Sequence, residues 1–284
     1  MSELLITAQQ LAARLDQPNL RVFDATVHLR RSERGYQVNS GEEDYRTAHI
    51  PGAAFMNQPE ALSDTTSKLG FTLPEVDALA AGMGALGISR DTSVVLYATS
   101  HVMWATRALW LLRYLGHTDV RVLDGGLDAW REAGLNLADG DESYPSAQFR
   151  PDVQPKVFVR LDEMKEIVEQ GEACVVNALP EPVYTGAGGA VYGRAGHIPS
   201  SVSLPYDNLL KDGYFRPAEE LRQALAATGM DAEGRVVAYC GGGISASIPA
   251  FARLLLGLND TAIYDGSMSE WVREGLPLNE GSDP

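Results

Sequence analysis

The chain repeats itself at a long period, and that limits what it can fold into. His49-Ile50-Pro51-Gly52-Ala53 returns as His197-Ile198-Pro199-Ser200-Ser201, 148 positions later. Tyr97-Ala98-Thr99-Ser100 returns as Tyr239-Cys240-Gly241-Gly242 after 142 positions. Leu123-Asp124-Gly125-Gly126-Leu127-Asp128-Ala129-Trp130 returns as Tyr264-Asp265-Gly266-Ser267-Met268-Ser269-Glu270-Trp271 after 141. The order is the same each time. Solenoid units recur every 20–50 residues or so, so this period predicts two copies of one domain. A chain of 284 residues has room for two cores of ordinary size.

Each copy alternates short apolar runs with helical stretches. In the first copy, residues 20–24, 93–97 and 120–123 read as strands, and 8–15, 74–86 and 106–115 as helices. In the second, residues 174–177, 236–239 and 262–264 read as strands, and 161–170, 217–228 and 245–258 as helices. Strand–helix alternation predicts an α/β fold, each domain a mostly parallel sheet with helices on both faces. Sites in such sheets lie beyond the carboxyl ends of the strands. Between the copies, Asp139, Gly140, Asp141, Pro145, Pro151 and Pro155 interrupt any apolar periodicity. The expected organisation is a domain over 1–138, a semi-extended linker over 139–156 and a second domain over 157–284.

The chemistry concentrates at Cys240. It ends the run Gly234-Arg235-Val236-Val237-Ala238-Tyr239 and precedes Gly241-Gly242-Gly243-Ile244-Ser245-Ala246. Three glycines let the backbone adopt positive φ and turn its N–H groups inward. A ring of N–H groups at a helix N-terminus attracts an anion, and a thiol placed there is expected to act as its thiolate. Cys174 differs: it lies inside the apolar run Ala173-Cys174-Val175-Val176 and reads as a small buried hydrophobe.

The loop Cys240-Gly-Gly-Gly-Ile-Ser-Ala resembles the active-site loop of the rhodanese and mercaptopyruvate sulfurtransferase family, and the repeat extends that resemblance over nearly the whole chain. It implies two tandem rhodanese-like domains, a catalytically silent first copy and a persulfide-forming Cys240 in the second. Gly241, Gly242, Gly243, Ile244, Ser245 and Ala246 would then cradle the persulfide. Ser100 or its neighbour stands where the first copy would need a thiol, and a hydroxyl is not ionised near neutral pH.

The chain departs from both family patterns. Mercaptopyruvate enzymes place two arginines after the second domain's first strand, whereas Asn177-Ala178-Leu179-Pro180-Glu181-Pro182-Val183-Tyr184-Thr185-Gly186 has none. The next guanidinium is Arg194, read as a candidate for the donor's anionic end against the alternative of a solvated surface arginine. Thiosulfate-using members place cations directly after the cysteine; Gly241 and Gly242 carry no charge. The mercaptopyruvate type has a hydroxyl two places on, which Gly242 removes, so the serine of its proposed serine–histidine–aspartate relay is missing. His49 matches a position that reaches the cleft in that subfamily and is a candidate proton handler, with Glu43 and Asp44 placed to orient it. Its alternative, shared by His197, is a ring that satisfies loop backbone groups. Tyr184, His101 and Trp104 are candidates to line the cleft, against ordinary packing.

Other classes fit less well. A cysteine phosphatase or arsenate reductase needs an arginine six places after the cysteine to clamp oxyanion oxygens; that place is Ala246. A non-catalytic rhodanese-like binding module would not need Cys240. Net charge is −15, which argues against a nucleic-acid partner. No metal-ligand spacing occurs, and no metal or cofactor is expected. The stretch Met1 to Thr7 lacks a basic, long-apolar leader, and no membrane span is read. With two separated cysteines a reducing compartment is favoured, so the expectation is a cytoplasmic sulfurtransferase. Its partners would be a small anionic sulfur donor, such as thiosulfate or a mercapto-acid, and a thiol or cyanide acceptor.

Overall fold

The structure is a computed structural model that describes residues 4–32 and 35–284. Residues 1–3 of the stretch read for a leader lie outside the described residues. The chain divides into two units. The first runs to Thr66 and includes Leu73–Gln154 and Asp212–Tyr214; the second holds Ser67–Thr72, Pro155–Lys211 and Phe215–Pro284.

In the first unit a five-stranded parallel sheet has the order Leu5–Ile6, Val120–Leu123, Ser93–Tyr97, Leu20–Asp24, Ala54–Phe55. In the second the order is Ser201–Ser203, Cys174–Asn177, Val236–Tyr239, Thr261–Tyr264, Phe158–Val159. Taken from opposite edges, the two orders agree strand for strand. The central strands Ser93–Tyr97 and Val236–Tyr239 are buried along their whole length. That suits their β-branched, nearly all-apolar sequence, because a strand covered on both faces has no polar side.

The repeat also extends to single hydrogen bonds. The hydroxyl of Tyr97 accepts the Ile50 N–H at 3.3 Å, and that of Tyr239 accepts the Ile198 N–H at 3.0 Å. The indole of Trp130 donates to the carbonyl of Asn136 at 2.8 Å, and that of Trp271 to Pro277 at 2.7 Å. Similar residues at one spacing therefore make the same tie twice.

Helix limits follow local chemistry. Leu161–Gln170 stops where Gly171 enters the left-handed region at φ 68°. The helix read over 245–258 is shorter, Ser247–Leu255. Pro249 stands in its first turn, where a missing N–H costs no intrahelical bond. The segment read as a linker is extended but strapped to the first unit. The N–H of Ala147 bonds Gly84, that of Asp152 bonds Leu115, and that of Gln154 bonds Tyr114, each on a carbonyl 2.8–2.9 Å away. An antiparallel hairpin, Val27–Ser32 with Gly35–Ser40, was not legible in the sequence. Among the described residues no helix is long and apolar enough to cross a membrane.

Candidate active site

Cys240 follows the central strand of the second unit directly and is 2% exposed. Residues 240–246 connect that strand to the helix Ser247–Leu255. The N–H groups of Gly241, Gly242, Ile244, Ser245 and Ala246 have no hydrogen-bond partner among the described residues. They precede a helix N-terminus, so the turn presents several donors and no charged side chain.

The Gly243 N–H is engaged elsewhere. It and the Cys240 N–H both donate to the Ser267 hydroxyl oxygen, at 3.0 and 3.1 Å, and that hydroxyl donates to the Tyr264 carbonyl at 2.8 Å. Ser269 adds a second tie, its hydroxyl donating to the Gly241 carbonyl at 2.6 Å. The turn is thus sewn to the start of the helix Ser267–Arg273. Ser267 holds a left-handed φ of 49°, a conformation unusual for a residue with a side chain.

The three glycines do different work. Only Gly243 has positive φ, 76°. Gly241 is needed for space: a methyl group there would overlap the Tyr192 hydroxyl and lie 2.5 Å from its ring Cε1. At Gly242 the nearest atom is the Gly70 carbonyl oxygen, 3.7 Å from where a methyl would stand. The turn therefore uses one glycine for its conformation and one for its lack of a side chain.

The remaining candidates fall outside this turn. Arg194 is exposed, and its guanidinium donates to the Leu276 carbonyl at 2.7 Å. Tyr184 is enclosed rather than lining an opening. Its ring stacks on His197 with centroids 3.8 Å apart, and its hydroxyl donates to the Ser201 carbonyl. His49, in the first unit, is fully buried, stacked on Tyr45 at 4.3 Å, with Nδ1 2.8 Å from the Tyr45 carbonyl. His197 makes the same pair of contacts with Tyr184. The shared turn accounts for Nδ1 of both rings; Nε2 of His197 lies 3.0 Å from the Asp283 carbonyl, whereas Nε2 of His49 is buried with no hydrogen-bond partner among the described residues. Asp44, expected to orient His49, pairs with His28 at 2.7 Å instead. His101 is half-buried and Trp104 fully buried. Cys174 lies half-buried at a strand start, where burial pushes its thiol pKa up.

The first unit carries a different turn. Tyr97 pairs with Asp24 as Tyr239 pairs with Asn177, so Ala98 is the counterpart of Cys240 and Ser100 lies two places beyond. The Thr99 N–H donates to the Thr26 hydroxyl at 2.9 Å, and the Ser100 hydroxyl donates to the Val27 carbonyl at 2.7 Å.

Sequence reasoning missed Ser267, Tyr192 and the segment Ser67–Thr72. Ser267 left a signal, since Asp-Gly-Ser in the second copy stands against Asp-Gly-Gly in the first. Tyr192 left none, because 48 residues separate it from Cys240.

Comparison with known proteins identifies the family. The family described as "Rhodanese-like domain" matches residues 7–133 and again 160–274. A probable 3-mercaptopyruvate sulfurtransferase of Pseudomonas aeruginosa is 37% identical, the match covering 96% of each chain. The thiosulfate sulfurtransferase of Rattus norvegicus is 32% identical over 92% of this chain and 87% of its own. The crystal structure of SseA from Escherichia coli, described as a 3-mercaptopyruvate sulfotransferase with the rhodanese fold, superposes with a TM-score of 0.83. It has 28% identity and covers 93% of this chain and 98% of its own.

Proposed function

The chain belongs to the two-domain rhodanese family of sulfurtransferases, and on that premise we propose that Cys240 carries the transferred sulfur as a persulfide. The observation that supports this most is the turn over residues 240–246. It joins a thiol at the end of a central strand to five amide donors without a partner among the described residues, and it contains no charged side chain.

The chemistry is nucleophilic covalent catalysis in two half-reactions. The Cys240 thiolate attacks the donor's transferable sulfur, the sulfane sulfur of thiosulfate or the thiol sulfur of a mercapto-acid, and a new S–S bond forms. The donor's own bond to that sulfur breaks, and its electron pair leaves with the donor remnant. From thiosulfate the remnant is sulfite; from a mercapto-acid of the 2-oxo type it is an enolate that takes a proton from water. A thiolate or cyanide then attacks the outer sulfur, and Cys240 departs as thiolate. The amides of Gly241, Gly242, Ile244, Ser245 and Ala246 stabilise the sulfur anion between the two steps. Gly243 serves by shaping the turn.

No guanidinium in this chain stands at the arginine positions of the mercaptopyruvate pattern. Arg194 remains the candidate cation for the donor, with one nitrogen held by Leu276. The buried Ala246 offers nothing to clamp an oxyanion, which disfavours phosphatase chemistry. The test is intact-protein and peptide mass spectrometry after exposure to thiosulfate and, separately, to 3-mercaptopyruvate. One added sulfur atom on Cys240, removed by cyanide, is expected. Absence of that sulfur with both donors, together with no turnover, would overturn the reading.

A further inference from the structure

The first unit holds a cavity of about 290 Å³, at the small end of the roughly 300–1,000 Å³ that small-molecule pockets occupy. Leu15, Pro18, Val22 and Pro51 give it apolar walls, and Asp16 and Arg21 its two charges. The Arg21 guanidinium is held from two sides. Its Nη1 donates to the carbonyls of Pro18 and Leu20, at 2.9 and 2.8 Å, and its Cζ lies 4.7 Å from the ring centroid of Tyr144. That ring is pinned in turn, its hydroxyl donating to the Gly52 carbonyl at 2.6 Å and accepting the Val22 N–H at 2.9 Å. Nε of Arg21 is buried and, like Nη2, has no hydrogen-bond partner among the described residues. The Asp16 carboxylate also has no partner among them, although it borders the same cavity.

We infer that this cavity binds the zwitterion of a small α-amino acid with an apolar side chain. Nε–H and Nη2–H form the side-on fork of a guanidinium, which matches the two oxygens of a carboxylate. A buried donor without an acceptor is costly, so a ligand oxygen at this fork would be stabilising. Two carbonyls and an aromatic face already hold the fork in position, so little side-chain freedom is lost on binding. Asp16 is exposed and answers an ammonium group. One cation with one anion suits a molecule that carries both charges, whereas a dianion such as phosphate would meet the Asp16 carboxylate as well. The aliphatic walls favour an apolar side chain. The fold itself does not require the arginine. Arg21 pairs with Val94 where Cys174 pairs with Val236, so the second unit has a thiol at this strand position.

The experiment is isothermal titration calorimetry of the full chain, alkylated at Cys240, with L-leucine and L-methionine. Both ligands lack a thiol, so their binding is separate from any acceptor role at Cys240. Their des-amino analogues, 4-methylpentanoate and 4-(methylthio)butanoate, and inorganic phosphate are the comparisons. Saturable binding of an amino acid is expected, tighter than that of its analogue or of phosphate. Arg21→Lys keeps the charge and removes the fork, and should weaken the amino acid about tenfold. Asp16→Asn, a change at an exposed side chain, should weaken the amino acid about fivefold and leave its des-amino analogue unaltered. Sulfur transfer should be the same in both variants as in the parent. No saturable binding of either amino acid by the parent overturns the proposal. So does binding unchanged in Arg21→Lys or Asp16→Asn, or binding of phosphate or the des-amino analogue as tight as that of the amino acid.

Discussion

Ser267 fixes the turn that carries Cys240: one hydroxyl oxygen accepts the amide hydrogens of Cys240 and Gly243, 3.1 and 3.0 Å away. The corresponding residue of the first unit is Gly126, at φ 56°. The second unit therefore accepts a side chain in a left-handed position and gains from it a brace across two strand ends. Ser267→Gly should preserve the backbone but strand two buried N–H groups, lowering stability by about 1–3 kcal/mol. Alkylation of Cys240 should slow in the same variant. Urea denaturation with parallel iodoacetamide kinetics measures both. A variant as stable and as reactive as the parent would show that the hydroxyl does not hold the turn.

The two thiols should separate cleanly. Cys240→Ser is expected to abolish sulfur transfer while leaving the circular dichroism spectrum unchanged. Cys174→Ser is expected to keep turnover, with a modest stability loss from a hydroxyl placed where the thiol now sits 3.6 Å from the Thr228 carbonyl. Measurable turnover by purified Cys240→Ser would remove it from the mechanism.

Asp24 offers a test by pH. Its carboxyl is buried, and desolvation pushes its pKa above the ordinary carboxylate value, offset only in part by hydrogen bonds from Thr26. A carboxyl pKa raised by folding stabilises the fold below its unfolded value, and that contribution is lost as pH rises through the folded value. As pH rises through the folded-state value, ionising this buried carboxyl therefore becomes a burden on the fold. The second unit has Asn177 at this place, with its amide donating to the Tyr239 hydroxyl at 3.0 Å. Asp24→Asn, with Tyr97 in the matching position, should raise Tm by about 2–4 °C at pH 7–8. The gain should shrink as pH falls through the folded-state value. A gain independent of pH, or a loss, would show that Asp24 ionises without cost.

Arg253 anchors the helix that follows the cysteine turn. It is 1% exposed, and its guanidinium donates to the Thr261 hydroxyl and to the carbonyls of Met230, Ala232 and Gly234. Arg253→Met should destabilise the second unit by about 2–4 kcal/mol through carbonyls left without donors. Chemical denaturation measures it. A loss below 1 kcal/mol would mean that water replaces the guanidinium.

Much of the scaffold was legible because parallel strands buried on both faces are uninterrupted apolar runs. Val236–Tyr239 and Cys174–Asn177 stand where the sequence predicts them. Leu5–Ile6, Ala54–Phe55 and Phe158–Val159 were missed because two-residue strands have no period to detect. The hairpin after Asp24 was missed for another reason: its apolar side chains Leu29 and Val38 face each other but are exposed, so no buried run marks it. Cys240 announced itself through its glycines. What those glycines do was hidden, since Gly241 answers to Tyr192 and the Gly243 N–H to Ser267, both contacts made by the fold rather than by sequence neighbours.

The shorter turn of the first unit has a practical meaning. Residues 98–102 join its central strand to the next helix, two fewer than in the second unit, and the Thr99 amide already has a partner in Thr26. Replacing Ala98 by cysteine would thus supply a nucleophile without a nest for the charge it must bear. Giving the first unit a turn like that of the second demands a longer arc of backbone and a pruned Thr26, so a thiol alone at position 98 would not reproduce the setting of Cys240.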